Sequence, residues 1–510
     1  MMRIFGKDAH PSRRSATAWN LFFHYAAVVL AFVNGILLVP LYLTHIPLHL
    51  YGAWLASGNI LAWTSILDPG FSTFLMQKTG AAYGAGDRRK VRDLFASGVV
   101  LSGGIAVLVA ATGISVAPYV PGWLSLNLAS DIASLHDAFV VAVIGTALMI
   151  LAYTVTSVNQ GLLSSTGVGV ISVSTNLVAI AATIIWLKEG WGLMALSAAI
   201  VIRGGGFTLG NIGYFVWRCI REIGWGFSLS QIGEILRLSG FSFIGRMGGL
   251  LSANIDAFVV GRLLGPEIVP VYVLTRRGPE TVRMLLERPS TAVMPAVAHL
   301  SGEKDILKLQ SLLLRLVRIM LWACGIFISG FVIFNDDFLR LWVGQALFAG
   351  HPVNMIICVS LGAGALITSM ANLCFAMGNI KGNSIISLIE GCVFALAITV
   401  GVQIGGLIGV ALAPLVSLVL VSSWYYPRRL GRMLAFKAKN FRELVRIAPA
   451  TLMCAAAVTL LFWNHHPANW WYFGADVIGA TGSYAILLCM ASSSFRQELV
   501  AGIKYLRIST

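Results

Sequence analysis

Charge is what this chain has least of. Asp, Glu, Lys and Arg make up 11% of its 510 residues, against about 25% in ordinary soluble domains. Hydrophobic residues reach 57%, and the mean hydropathy is +0.82. That balance excludes a water-soluble globular protein and implies a polytopic membrane protein. The seven cysteines stand singly, at Cys219, Cys324, Cys358, Cys374, Cys392, Cys454 and Cys489. None forms CxxC and most lie in apolar runs, so neither disulfides nor a metal site is expected. A P-loop, a nucleophile-plus-base pair and a metal-ligand cluster are all missing, which argues against an enzyme or an ATPase. Large loops are missing too, so no soluble domain is expected. The longest expected outer loop, about residues 118–137, has neither Lys nor Arg.

The formal net charge of +15 is not read as a nucleic-acid signal, because no basic patch has the length or context of such a module. In a membrane chain it reflects cytoplasmic loops that face anionic lipid. Arg3, Lys7, Arg13 and Arg14 precede an apolar run at about Leu21–Leu43. That run is too long for a signal peptide and lacks a small-residue cleavage site, so it is expected to be the first span.

Fourteen stretches suit spans of about 20 residues. The first six lie near 17–43, 50–76, 94–117, 138–162, 168–187 and 192–217. The next six lie near 240–264, 268–298, 311–334, 353–376, 384–404 and 407–427, and a last pair near 447–463 and 470–490. Their loops alternate in charge. One side collects Arg13 and Arg14, the run Arg88–Arg92, Arg218 and Arg221, Lys304 and Lys308, Lys381, seven bases between Arg428 and Arg446, and Arg496, Lys504 and Arg507. The other holds Lys188 and Arg340 as its bases, with acids at Asp131, Asp137, Glu189, Glu267, Asp336 and Asp337. The positive-inside rule then places both termini in the cytoplasm.

The chain also repeats itself. PLYLTHIPLHLYG (Pro40–Gly52) and the charged GDRRKVRD loop (Gly86–Asp93) are answered by GRLLGPEIVPVY (Gly261–Tyr272) and GEKD (Gly302–Asp305). Tyr51 matches Tyr272 at an offset of 221, and Gly192–Leu196 resembles Gly406–Leu412. Six spans per half give both halves the same orientation, so two parallel lobes about an axis along the membrane normal are expected. The expected order is a tail at 1–16, an N-lobe at 17–217, a linker at 218–239 and a C-lobe at 240–427. A basic linker at 428–446, two extra helices at 447–490 and a tail at 491–510 follow.

Gly245–His299 breaks the rule of few charges. It holds Arg246, Asp256, Arg262, Arg276, Arg277, Glu280, Arg283, Glu287 and Arg288 within two expected spans. A charge at the bilayer centre costs about 2.5–3.5 kcal/mol on insertion scales, so such residues face a bundle interior or a wet cavity. On a helix, Arg276, Glu280, Arg283 and Glu287 fall on one stripe with alternating sign. This reads as part of the lining of an aqueous, mostly cationic chamber. The plainer alternative is a set of intrahelical ion pairs that make a polar helix tolerable. Pro270, Pro279, Pro289 and Pro295 predict kinks in the eighth span. Arg262 and Arg340 are expected to snorkel, His24 and His45 to pack or lie at the interface, and Trp54, Trp63, Trp191, Trp342, Trp470 and Trp471 to form aromatic belts.

An ordered set of segments resembles the polysaccharide-unit flippases of the multidrug/oligosaccharidyl-lipid/polysaccharide exporter superfamily. The set is PLYLTHIPLHLYGAWL, ILDPGF (Ile66–Phe71), ANIDAFVVGRLLGPEIVPVYVL, FNDDFLRLWVG (Phe334–Gly344), ANLCFAMGNIKGNSII (Ala371–Ile386) and GGLIGVALAPLVSLVL. The seventh and eighth spans here carry more Arg than is typical of that family. The resemblance implies an all-α inner-membrane protein that moves a polyprenyl-diphosphate-linked oligosaccharide by alternating access. It implies no cofactor beyond a proton or sodium gradient, and partners in anionic lipids, a polysaccharide polymerase and chain-length proteins. Arginine binds diphosphate bidentately, so Arg246, Arg276, Arg277 and Arg283, with Arg203 from the sixth span, are the candidate substrate ligands. Asp256, Glu390 and Asp68 are the candidate coupling-ion residues. The competing readings are a cation-coupled multidrug exporter, which needs an acidic cavity, and a polytopic glycosyltransferase or polymerase, which needs a catalytic outer loop.

Overall fold

The computed structural model describes residues 32–64, 71–218, 230–235, 247–250, 254–303, 305–435 and 438–500, with Ser228 and six positions between 19 and 30. Among these, every regular element is a helix. The first half contains α1 (Val39–His45), α2 (Leu48–Thr64), α3 (Phe71–Gly84), α4 (Arg88–Val116), α5 (Ala129–Gly161), α6 (Ser165–Lys188), α7 (Leu193–Arg218) and α8 (Asp256–Leu263). It is followed by α9 (Ile268–Leu286), α10 (Arg288–Glu303), α11 (Ile306–Trp342), α12 (His351–Ala376), α13 (Ile380–Ser417), α14 (Ser423–Met433), α15 (Ala438–Phe462) and α16 (Trp470–Ala491).

Each of the fourteen expected spans contains at least part of a described helix. Among the described residues, eight helical stretches are by themselves long and apolar enough to cross a bilayer. One of them, 54 residues from Ile380 to Met433, holds the eleventh and twelfth spans together. Gly406 divides it at φ 54° and ψ −131°, a conformation that L-residues rarely adopt. Gly401 and Gly409 let the two arms touch, since a Cβ on Gly401 would lie 2.6 Å from the Gly409 carbonyl oxygen. The second expected span is two helices, and α3 runs on to Gly84 beyond the expected end at residue 76. The eighth is also two helices, parted at Glu287, two residues before Pro289. Pro289 has no N–H to give the Leu285 carbonyl and its ring crowds that carbonyl, so a break just before it follows from the sequence.

The two copies of the internal repeat end their charged loops alike. The Asp87 side chain accepts the Lys90 backbone N–H at 2.9 Å, and the Asp305 side chain accepts the Lys308 backbone N–H at 3.2 Å. Each aspartate thereby satisfies a donor that the first turn of a long helix leaves unpaired. Tyr51 and Tyr272, matched by the repeat, are both buried.

Contacts divide the chain into residues 1–269 and 270–510. In the first unit α5 is central and packs on α3, α4 and α7. Its close approach to α7 relies on glycine, because a Cβ on Gly204 would lie 2.4 Å from the Gly145 carbonyl oxygen. Small residues that let backbones meet in this way are a recurrent device of membrane helices. Thr208 Oγ1 donates to the Leu148 carbonyl at 2.8 Å, and Asn159 Nδ2 to the Asn211 carbonyl at 3.0 Å across the same contact.

In the second unit α11 is central and packs on α12, α15 and α16. The Tyr484 hydroxyl donates to the Trp322 carbonyl at 2.9 Å. Beyond α16, Phe495 packs on Trp322, and Glu498 pairs with Arg315 at 2.7 Å and Arg318 at 3.6 Å. Ile404 and Met490 point outward, 83% and 77% exposed. Such faces suit lipid, where apolar side chains need no cover.

Candidate functional site

The stripe on α9 is built as paired charges. Arg276 Nη2 lies 3.4 Å from Glu280 Oε1, and Arg276 Nη1 donates to the Tyr272 hydroxyl at 3.4 Å. One turn on, Arg283 Nε donates to Glu287 Oε1 at 2.8 Å. Arg283 Nη2 also reaches Thr368 Oγ1 on α12 at 3.4 Å. Gly364 lies against the same guanidinium, whose central carbon is 3.4 Å from where a Cβ would stand, a van der Waals contact. Glu390 on α13 lies within electrostatic reach of Arg283 and accepts a short hydrogen bond from the Ser422 hydroxyl. Ser422 closes a π-helical turn, Leu418–Ser422, a rare geometry that often marks functional positions. Arg277 lies half-buried on the same helix.

Arg276 and Arg283 are therefore not equivalent. Arg283 faces two carboxylates, whereas the Glu280 beside Arg276 is 42% exposed. A wetter partner is a weaker one, so the Arg276–Glu280 pair is the weaker of the two pairs.

A buried polar network holds the start of α9. Asn335 Nδ2 donates to the Thr275 carbonyl at 2.8 Å and to Asn354 Oδ1 at 2.7 Å, while Asn354 Nδ2 donates to the Phe331 carbonyl at 3.0 Å. Thr275 Oγ1 in turn accepts the Ala349 N–H at 2.9 Å. The break at Glu287 is held as well, by Ser290 Oγ to the Glu287 carbonyl at 2.7 Å and Asn372 Nδ2 to Ser290 Oγ at 3.0 Å.

Arg203 and Asp256 belong to the first unit. The Arg203 Nε is buried on α7 with no hydrogen-bond partner among the described residues. Its electrostatic neighbour is Tyr42, whose hydroxyl donates to Asn34 Oδ1 at 3.1 Å. Asp256 is buried at the first turn of α8, where its Oδ1 accepts the Ala257 N–H at 2.8 Å. Arg246, Asp68 and His24 lie outside the described residues.

The two bases expected to snorkel both stand in the last turn of their helices and reach backbone carbonyls there. Arg262 points Nη1 at the Gly122 and Trp123 carbonyls, at 3.5 and 3.3 Å, so it fastens the one-turn helix Val120–Trp123. Arg340 pairs with buried Asp337 at 2.7 Å and donates to the Pro467 carbonyl at 2.7 Å. His45, expected to pack or lie at the interface, is exposed at the end of α1, 3.0 Å from the Leu41 carbonyl, and three other histidines sit beside carboxylates. His49, His351 and His466 lie 2.9, 3.7 and 3.5 Å from Asp131, Asp336 and Asp337. Thr368 and Ser422 are the polar partners that the sequence did not reveal; a hydroxyl in an apolar run gives no signal of what it meets.

Fold and site together define a polytopic all-α membrane protein with charged residues inside its helical bundle. Residues 57–346, more than half of the chain, match the model of the family described as "Polysaccharide biosynthesis protein", and the chain belongs to that family. No curated protein gives a significant match. Among solved structures, the lipid II flippase MurJ in an inward closed conformation is similar with a TM-score of 0.69 at 13% identity, covering 94% of this chain and 100% of that one. An inward-facing multidrug resistance MATE family transporter of the MOP superfamily gives 0.62 at 14%, covering 80% and 96%. The Vibrio cholerae MATE transporter VcmN in the bent form gives 0.53 at 16%, covering 83% and 98%. At these identities the likeness is one of fold.

Proposed function

We propose that this protein is a flippase that carries a polyprenyl-diphosphate-linked oligosaccharide from the cytoplasmic to the outer leaflet of the bacterial inner membrane. One observation supports this best: a polysaccharide biosynthesis family member with the fold of a lipid II flippase carries arginines along a membrane helix. Arg276 and Arg283, with Arg203, Arg246 and Arg277, hold the diphosphate, for which a guanidinium supplies paired donors of matching geometry. The oligosaccharide passes through a wet path while the polyprenyl tail stays in lipid. Both termini face the cytoplasm, and the lobes at 17–217 and 240–427 alternate access. A proton or sodium gradient drives the cycle through Glu390, Asp256 or Asp68, with Glu390 favoured by its position between Arg283 and Ser422. The protein makes and breaks no covalent bond.

Depleting the protein in its host tests this reading. Lipid-linked repeat units should accumulate in the cytoplasmic leaflet while polymer outside falls. An arrest before the lipid-linked unit is complete would favour an enzyme instead.

A further inference from the structure

The first unit contains a cavity of about 460 Å³. That size is within the range of about 300–1,000 Å³ typical of small-molecule sites. It opens where the start of α2, the loop before α5 and the turn between α8 and α9 meet. On the proposed topology this is the outer side of the membrane.

Its polar lining is His49, Ser125, Asn127, Asp131 and Glu267. His49 Nε2 and Asp131 Oδ2 are 2.9 Å apart, tying α2 to α5 across the floor. Ser125 holds a left-handed backbone at φ 56°, and Gly265 one at φ 99°. Arg262 reaches from α8 to the carbonyls of Gly122 and Trp123, so the rim is fastened on two sides. Pro266 and Leu128 supply apolar surface within the same lining.

We infer that this cavity is a saccharide-binding subsite on the outer face, taking neutral or amino sugar units of the glycan being delivered. The inference rests on the flippase reading. Sugar hydroxyls each donate and accept, and Asn127, Ser125 and the carboxylates of Asp131 and Glu267 match them. Pro266 and Leu128 suit the apolar C–H face of a pyranose. Two carboxylates with no arginine or lysine in the lining repel a diphosphate, so the cavity selects the glycan end of the substrate. The opening keeps the site wet and its binding weak, as release to the outside requires.

Saturation-transfer NMR on the full-length protein in detergent tests this, with methyl α-glucopyranoside, methyl N-acetylglucosaminide and glucuronate as probes. At least one neutral glycoside should saturate in the millimolar range, and glucuronate should not. Glu267→Gln should weaken that binding about tenfold, the order expected for losing a hydrogen bond to a charged acceptor. Asp131→Asn should weaken it further. Glu267 is exposed, so its variant remains informative should Asp131→Asn fail to fold. The inference is overturned if neither glycoside saturates, if glucuronate binds as well as they do, or if Glu267→Gln leaves binding unchanged. Wild-type flipping without sugar binding would refute the subsite alone. Sugar binding without flipping would refute the flippase reading and leave the cavity a saccharide site.

Discussion

Replacing Arg283 with alanine separates a ligand role from a structural one. The change removes the 2.8 Å contact to Glu287 and the 3.4 Å contact to Thr368. It also leaves Glu287 and Glu390 without the cation they share. The Arg283 and Glu287 side chains are 28% and 23% exposed, between a surface pair worth under about 1 kcal/mol and a buried pair costing about 3–5 kcal/mol to break. A structural role therefore predicts a loss of about 1–3 kcal/mol in stability, recovered when Glu287→Gln is added. A ligand role predicts something different. Losing one charge-assisted bond costs about 1.5–3 kcal/mol of substrate affinity, or roughly ten- to a hundredfold. Arg283→Lys should recover part of that, because lysine keeps the charge and loses the fork. Folded protein in the membrane, quantified by fluorescence-detected gel filtration, is read beside glycan export. Normal abundance with export lost supports the ligand role. Low abundance restored by Glu287→Gln, with export intact, would refute it.

Gly204→Val should lower the thermal midpoint of the purified protein by the equivalent of at least about 1–3 kcal/mol, because its side chain meets the Gly145 carbonyl; an unchanged midpoint contradicts the packing of α5 on α7. Asn335→Leu should destabilise by about 1–3 kcal/mol, because it takes the Asn335 donor from the Thr275 carbonyl and leaves the Asn354 amide oxygen only the weak Cys358 thiol, with wild-type stability the refuting result. The Asp305 carboxyl is held below its ordinary value by the Lys308 side chain, 2.8 Å away, and by the Lys308 backbone N–H. A depressed value favours the folded state above the ordinary aspartate range, near about 4, and that support is lost as pH falls through the lowered value. Amide exchange in the first turn of α11 should thus quicken relative to mid-helix amides only below about pH 4, and Asp305→Asn should remove the dependence.

How much was legible in the sequence follows the range of each interaction. The stripe on α9 was readable because i, i+4 neighbours meet on any helix, and Arg276–Glu280 and Arg283–Glu287 do so. The matching aspartate caps were foreshadowed by the repeated charged loops, and the division at Gly406 by glycine between two apolar runs. Contacts between helices were not readable. Glu390 stands alone in its own stretch, and α9 and the π-helical turn bring Arg283 and Ser422 to it across 107 and 32 residues. The length of α3 was missed because Gln77, Lys78 and Thr79 break the apolar run while remaining compatible with a helix. Lys78 is held there by Glu234 at 2.8 Å, from a segment 156 residues away.

The central claim is tested most directly by reconstituting the purified full-length protein in liposomes with a fluorescent polyprenyl-diphosphate oligosaccharide. A membrane-impermeant reductant then bleaches whatever label reaches the outer leaflet. Wild-type protein should bleach the label well beyond the half that starts outside, and an Arg276→Ala, Arg283→Ala double variant that folds normally should stay near half. Wild-type vesicles that bleach no further than protein-free ones would contradict the account.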